Sequence, residues 1–258
     1  MRFDIITIFP EIFDSYLKES IIKRALKKRL IIIKVHNLRK WARDRHKTVD
    51  DRPYGGGFGM VMKVEPVYRA VSSLKKIKNP PSPSLPVGEA GLRRAGKKQR
   101  TKVILFTPRG KKFTQNMGYQ FSKLSQIIFI CGRYEGVDER VAEHIADEKI
   151  SVGDYVLMGG ELPALTVIET ISRLIPGVLG KPQLLKERIP PKSGRAGRGF
   201  TEYAQYTRPP KFFPEKFRRA RPGQLRKAQV WKVPKVLLSG DHKKIAEWKK
   251  KHSKVIAG

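Results

Sequence analysis

Cysteine is almost absent from this chain: Cys131 stands alone among 258 residues. One thiol builds neither a disulfide framework nor a cysteine-based zinc site, so a packed core must hold the fold, and a reducing, cytoplasmic setting is expected. The 40% hydrophobic content supports such a core. Long apolar runs are missing too. Nothing approaches the roughly 20 residues that cross a bilayer, and no basic helix carries the apolar face of an interfacial anchor, so no membrane partner is expected. The opening MRFDIITIFPEIF has an acid at Asp4 and no small-residue cleavage site. It reads as a first strand, 3–9, broken by Pro10, and not as a signal peptide. Acidic side chains are the third shortage: 23 Asp plus Glu against 55 Lys plus Arg give a formal charge of +32. That excess points to a polyanion, above all nucleic acid.

Several chemical motifs are absent as well. No Gly-Lys-Ser/Thr closes a phosphate loop, and GGGFG at 55–59 lacks the preceding strand of a dinucleotide fingerprint. The five histidines are scattered, without zinc spacing, so no metal ligands are assigned. Ser172 and Ser239 lack the elbow context of a nucleophile.

What is present is alternation. Strand patterns at 3–9, 30–36, 103–106 and 127–130 alternate with helical patterns at 11–28, 64–76, 114–124 and 138–145. The first helix is interrupted near Glu19 and Ser20. LIIIKVH at 30–36 reads as a buried strand from its apolar run, and Val67, Ala70, Val71 and Leu74 share one helix face. The order predicts an α/β fold with a mostly parallel sheet and helices on both faces.

The chain is organised around ISVGDYVLMGGELPALTVIETISRLIP at 150–176. It turns at Gly153 and Asp154, runs apolar through 155–158, turns again at Gly159 and Gly160, and enters a helix. Glu161 lies in the first turn, at the positive end of the helix dipole, and Pro163 is tolerated there. Leu165, Ile168, Ile171, Ser172 and Ile175 share a face. A Gly-Gly step before a helix is commonly just a turn. Here two more glycine loops follow strands, FTPRGK at 106–111 and CGRYEGVDER at 131–140. Loops at the carboxyl ends of strands are where open α/β sheets bind ligands, and glycine lets main-chain groups close on a flat polar ligand.

Two segments break the rhythm. Residues 80–99 are rich in Pro, Ser, Gly and Arg and read as an insertion in the first domain, 1–180. Residues 181–200 have the same character and read as an inter-domain linker. A small basic domain follows at 201–258, with Phe212, Phe213, Phe217 and Trp231 interleaved among Lys and Arg, a pattern that suits bases as well as a core. Its last helix starts at the capping Asp241.

Taken together, IFPEIF (8–13), DRHKTVDDRPYGGGFGM (44–60), CGRYEGVDER, SVGDYVLMGGELPALTVI (151–168), SRLIPGVLG (172–180), QYTRP (205–209) and PKVLLSGDHKKIAEW (234–248) resemble the bacterial tRNA (guanine-N1-)-methyltransferases. The resemblance implies a SPOUT-class fold with a trefoil knot and a small helical C-terminal domain. It also implies a homodimer that uses S-adenosyl-L-methionine to methylate the guanosine at tRNA position 37, next to the anticodon. Carried over by motif, the cofactor residues are Phe106, Thr107, Pro108 and Gly110; Gly132, Tyr134, Glu135 and Gly136; and Val152, Gly153, Asp154, Tyr155, Val156, Leu157, Gly159, Gly160 and Pro163. The tRNA residues are Arg45, His46, Asp50, Arg52, Tyr54, Gly55 and Gly59, with Arg208, Arg218 and Arg219 in the basic domain.

The family's chemistry needs a base for the N1 proton and a cation for the charge that grows on O6. Arg173 occupies the family's arginine position. The family's linker acid stands before Ser-Phe, a context that is missing here, which leaves Glu187 and Glu202 as alternative bases. Magnesium supports the family's reaction, with no ligands assigned in this chain. Two other readings stay open: a SPOUT enzyme for another RNA site, and a non-catalytic RNA-binding protein on the same scaffold.

Overall fold

The computed structural model describes residues 1–77, 100–180, 198–213, 230–252 and 254–257, with backbone alone for 198–202 and 254–257. The chain divides into two units, Met1–Gln183 and Leu184–Gly258, and the division falls inside the expected linker.

In the first unit β1 (Arg2–Thr7) leads through a 3-10 turn into the short helices α1 (Asp14–Leu17) and α2 (Ser20–Lys27), then β2 (Ile32–Asn37). A small antiparallel pair, β3 (Asp50–Asp51) and β4 (Val61–Met62), precedes α3 (Val64–Lys75). There follow β5 (Thr101–Lys112), α4 (Gln115–Phe121), β6 (Gln126–Ile130), α5 (Glu139–His144), β7 (Glu148–Ser151) and α6 (Glu161–Ser172). The five long strands are all parallel, in the order β2-β1-β6-β5-β7.

Strand alternation builds two cores, because successive side chains point to opposite faces. Phe3, Ile5, Ile104, Phe106, Ile127 and Phe129 meet α2, α4 and α6 on one face. Ile6, Val103, Leu105, Ile128 and Ile130 meet α3 and α5 on the other. Helices therefore cover both faces, as the alternation predicts. Asp4 ties β1 to β2 and β6. Its buried carboxylate accepts from Arg2 Nε at 2.6 Å and Gln126 Nε2 at 2.8 Å, and pairs with His36 Nε2 at 2.8 Å. Burial pushes its pKa up, but the hydrogen bonds from His36, Arg2 and Gln126 outweigh burial and hold it below the ordinary value.

Two sequence expectations change. β2 is not a buried strand: it lies at the sheet edge, and none of its residues is fully buried. An apolar run alone does not distinguish an edge from a centre. The strand expected at 103–106 does not stop there either. β5 pairs with β7 up to Phe106–Ile150, loops out, and resumes with Lys111 opposite the same Ile150.

In the second unit β8 (Arg198–Glu202) pairs with β11 (Lys254–Ala257), and β9 (Lys211–Phe212) pairs with β10 (Trp231–Lys232), both antiparallel. The helix α7 (His242–Lys251) starts where the Asp241 carboxylate accepts the N–H groups of Lys243 and Lys244 at 3.1 Å. The resemblance implies a helical domain; its described residues add these two small sheets.

Candidate active site

The three glycine loops surround one cavity of about 450 Å³ at the carboxyl ends of β5, β6 and β7. The first wall is the excursion of β5 at 107–110. Its return requires Gly110, since a Cβ there would sit 2.5 Å from the Ile150 backbone nitrogen. The second wall follows β6. A turn closed by Gly136 N–H to Arg133 O, 3.2 Å, holds Tyr134 at φ 59°, a left-handed value uncommon for a side-chain-bearing residue. The third wall runs from Val152 to Gly160. Gly160 N–H donates to Gly132 O at 3.1 Å, and a Cβ on Gly160 would lie 2.7 Å from Cys131 Cα. Two backbones cross here with no room for a side chain.

Behind the crossing lies Glu161. It is buried at the first turn of α6, accepts from Thr7 Oγ1 at 2.7 Å and pairs with Arg133 Nε at 3.0 Å. Its role thus exceeds the dipole contact that the sequence implies. The Arg133 guanidinium also stands 5.0 Å from the centroid of the Phe9 ring. A Cβ on Gly159 would sit 2.5 Å from Glu161 Oε2 and against Arg133 Nε. Burial pushes the neighbouring Cys131 thiol well up, so it stays protonated.

The 55–59 loop is anchored to the same place. Glu135 N–H donates to Met60 O and Met62 N–H to Gly136 O, each at 3.0 Å, and Gly59 lies directly against the Glu135 side chain. Gly55, Gly56, Gly57 and Gly59 all have positive φ. They carry Tyr54 and Phe58 fully into solvent.

Comparison with known proteins decides what this arrangement belongs to. Residues 1–256 match the family model described as tRNA (Guanine-1)-methyltransferase TrmD. The chain belongs to this family. It is 42% identical over 251 residues to the tRNA (guanine-N(1)-)-methyltransferase of Geobacter sp. (strain M21), covering 97% of this chain and 84% of that one. It is 44% identical over 253 residues to the protein of that name from Dictyoglomus turgidum, covering 98% and 85%. The corresponding protein of Clostridioides difficile (strain 630) is 43% identical over 253 residues, covering 98% and 92%. The parallel sheet with helices on both faces is the SPOUT-class architecture that goes with this family.

Most cofactor positions carried over by motif line the cavity: Phe106, Thr107, Pro108, Gly132, Tyr134, Glu135, Gly136, Val152, Tyr155, Val156, Leu157, Gly159, Gly160 and Pro163. Three do not. Gly110 packs against β7, Gly153 packs against its neighbour Tyr155, and Asp154 turns outward to Lys112 Nζ at 2.5 Å. Sequence reasoning missed Arg133, Arg109 and Glu139, which also line the cavity, the last two paired at 2.6 Å. Arg133 lies inside a quoted motif, and only its buried partner distinguishes it from a solvated charge.

Of the other site residues, Gly59 lies against the cavity residue Glu135, and the rest of those described stand on separate elements. Arg45 and His46 are exposed beside a turn in which the Asp44 carboxylate accepts Thr48 N–H at 3.0 Å. Asp50 is half-buried in β3, while Arg52, Tyr54, Gly55, Gly59 and Arg208 are exposed. Arg173 is half-buried at the C-terminal end of α6. It acts on Tyr119 of α4, whose pKa burial raises and the Arg173 charge opposes. Glu187, Arg218 and Arg219 lie outside the described residues, and Glu202 is described only as backbone of β8.

Proposed function

We propose that the chain methylates guanine N1 at tRNA position 37 with S-adenosylmethionine, as a cytoplasmic homodimer. The observation that carries this reading is the convergence of three glycine loops on one cavity in a chain of this family. The cavity fits the cofactor in kind: Leu105, Val137, Val156 and Leu157 supply apolar walls for a purine, and Glu135 a carboxylate for its ammonium or sulfonium group. When bound, the cofactor supplies a methyl group activated on sulfonium. The chain's own residues orient the acceptor, remove its proton and stabilise the charge left behind. Arg173 is assigned to the charge on O6, and Glu187 or Glu202 to the N1 proton, on the resemblance.

Two features support a dimer. α6 spans 12 residues, so Arg173 and the Gly159–Gly160 wall stand at opposite ends of a helix roughly 18 Å long. A second subunit that brings its own Arg173 removes that separation. Tyr155, Val156 and Met158 of the cavity lining, with Leu162 of α6, are 58–88% exposed, apolar surface of the sort that marks an interface. Magnesium has no such support: among the described residues no group of three or more His, Cys, Asp or Glu is placed to hold a metal ion.

The test is cofactor titration together with methyl transfer to an unmodified tRNA transcript and to a guanosine-37 variant. Transfer to the first alone is expected. Transfer at another position shows a different SPOUT activity, and RNA binding without transfer a non-catalytic protein.

A further inference from the structure

In the second unit β9 and β10 form a ribbon of two residues per strand, extended by Val233 N–H to Pro210 O at 3.0 Å. Phe212 stands directly opposite Trp231, and Lys211 directly opposite Lys232. An aromatic cross-strand pair by itself suits a ribbon that serves only the fold; its exposure and the facing lysines do not. Phe212 and Trp231 touch, with ring centroids 5.4 Å apart, yet remain 43% and 62% exposed. Like charges directly opposite one another destabilise an antiparallel pair, and among the described residues no acid pairs with either lysine. Pleating places rings and lysines on opposite faces, but the ribbon is only about 5 Å across, within reach of lysine stems at its edges.

We propose that this ribbon is a stacking platform for one unpaired nucleotide of an RNA strand. The Phe212–Trp231 face carries the base, and Lys211 and Lys232 attract the phosphates on either side. An aromatic face accepts any base, because every base has a π face, so the platform supplies affinity and position without reading sequence. The charge decides in favour of RNA over an apolar partner: the chain carries +32, and both ring positions are flanked by lysine. The proposal rests on the tRNA reading above and adds a contact outside the cavity.

The test uses the full chain and two fluorescein-labelled probes: a seven-nucleotide single-stranded uridine RNA, and the same sugar–phosphate strand without bases. Trp231→Leu and Phe212→Leu keep an apolar cross-strand contact and remove one π face. Trp231→Leu is expected to weaken binding of the uridine strand about tenfold, leave the abasic strand unaffected, and raise KM for tRNA with kcat retained. Lys211→Gln or Lys232→Gln should flatten the log–log salt dependence by about 0.7 for either strand. Parental affinity in Trp231→Leu overturns the platform, and so does an equal loss on both strands, which marks a merely structural pair. If the platform fails while the parent methylates tRNA, the functional reading stands. If Trp231 governs binding but the parent transfers no methyl group, that reading falls and the platform stands.

Discussion

Arg133 Nε stands 3.0 Å from Glu161 Oε2, and this pair joins the loop after β6 to the start of α6. Both side chains are largely buried, and Thr7 Oγ1 holds the second carboxylate oxygen from β1. Removing one partner leaves a buried charge uncompensated, which costs about 3–5 kcal/mol. Arg133→Leu is therefore expected to lose that much in urea unfolding and to weaken cofactor binding. The double variant Arg133→Leu, Glu161→Leu should recover most of the stability. An unchanged unfolding midpoint in the single variant would show that the pair holds nothing.

Gly159 adjoins the same pair. A side chain there displaces Arg133 and Glu161 and enters the cavity wall. Calorimetric titration should find S-adenosylmethionine binding abolished in Gly159→Val and weakened in Gly159→Ala. Parental affinity in Gly159→Val would remove the third loop from the cofactor site.

Arg173→Ala should lower the methyl-transfer rate about a hundredfold or more, as loss of one transition-state donor does, with cofactor affinity kept. Mixing then locates the site. Arg173→Ala and Gly159→Val protein, each inactive alone, should recover about a quarter of parental activity after random re-association into two-fold dimers. Absence of recovery in a verified heterodimer would place Arg173 and the cavity of one subunit in the same site.

The proton's route separates the two carboxylates. If Glu187 is the base, Glu187→Gln suppresses single-turnover transfer, keeps tRNA affinity and is partly rescued by raising pH, since N1 then loses its proton more easily. A parental Glu187→Gln beside an inactive Glu202→Gln assigns the role to Glu202. Full activity in both means that no linker carboxylate takes the proton.

Asp4 makes stability depend on acid. Its folded pKa lies below the ordinary carboxylate value. Its contribution is therefore complete above the unfolded pKa, near 3.9, and is lost as pH falls through the folded one. Urea midpoints measured from pH 7 down to pH 3 should drop more steeply for the parent than for Asp4→Asn. Parallel curves would mean that the Arg2–Asp4–His36 cluster carries no linkage.

The sequence by itself determined the alternation of strands and helices, because burial on two faces writes its period into the chain. Val67, Ala70, Val71 and Leu74 are buried along α3 as their spacing predicts. Asp241 caps α7, because a cap is a contact between near neighbours. The motifs likewise marked the loops that line the cavity, with Gly110, Gly153 and Asp154 as the exceptions. Tertiary structure decided what depends on distant partners. β2 lies at an edge because sheet order is set by packing between elements far apart in sequence. β5 continues past Phe106 because Ile150 gives it a second register to rejoin. Arg133 and Glu161 are separated by 28 residues, and Thr7 and Glu161 by 154. No local periodicity encodes those contacts, so only the folded chain shows that a first-turn glutamate is the buried centre of the site's support.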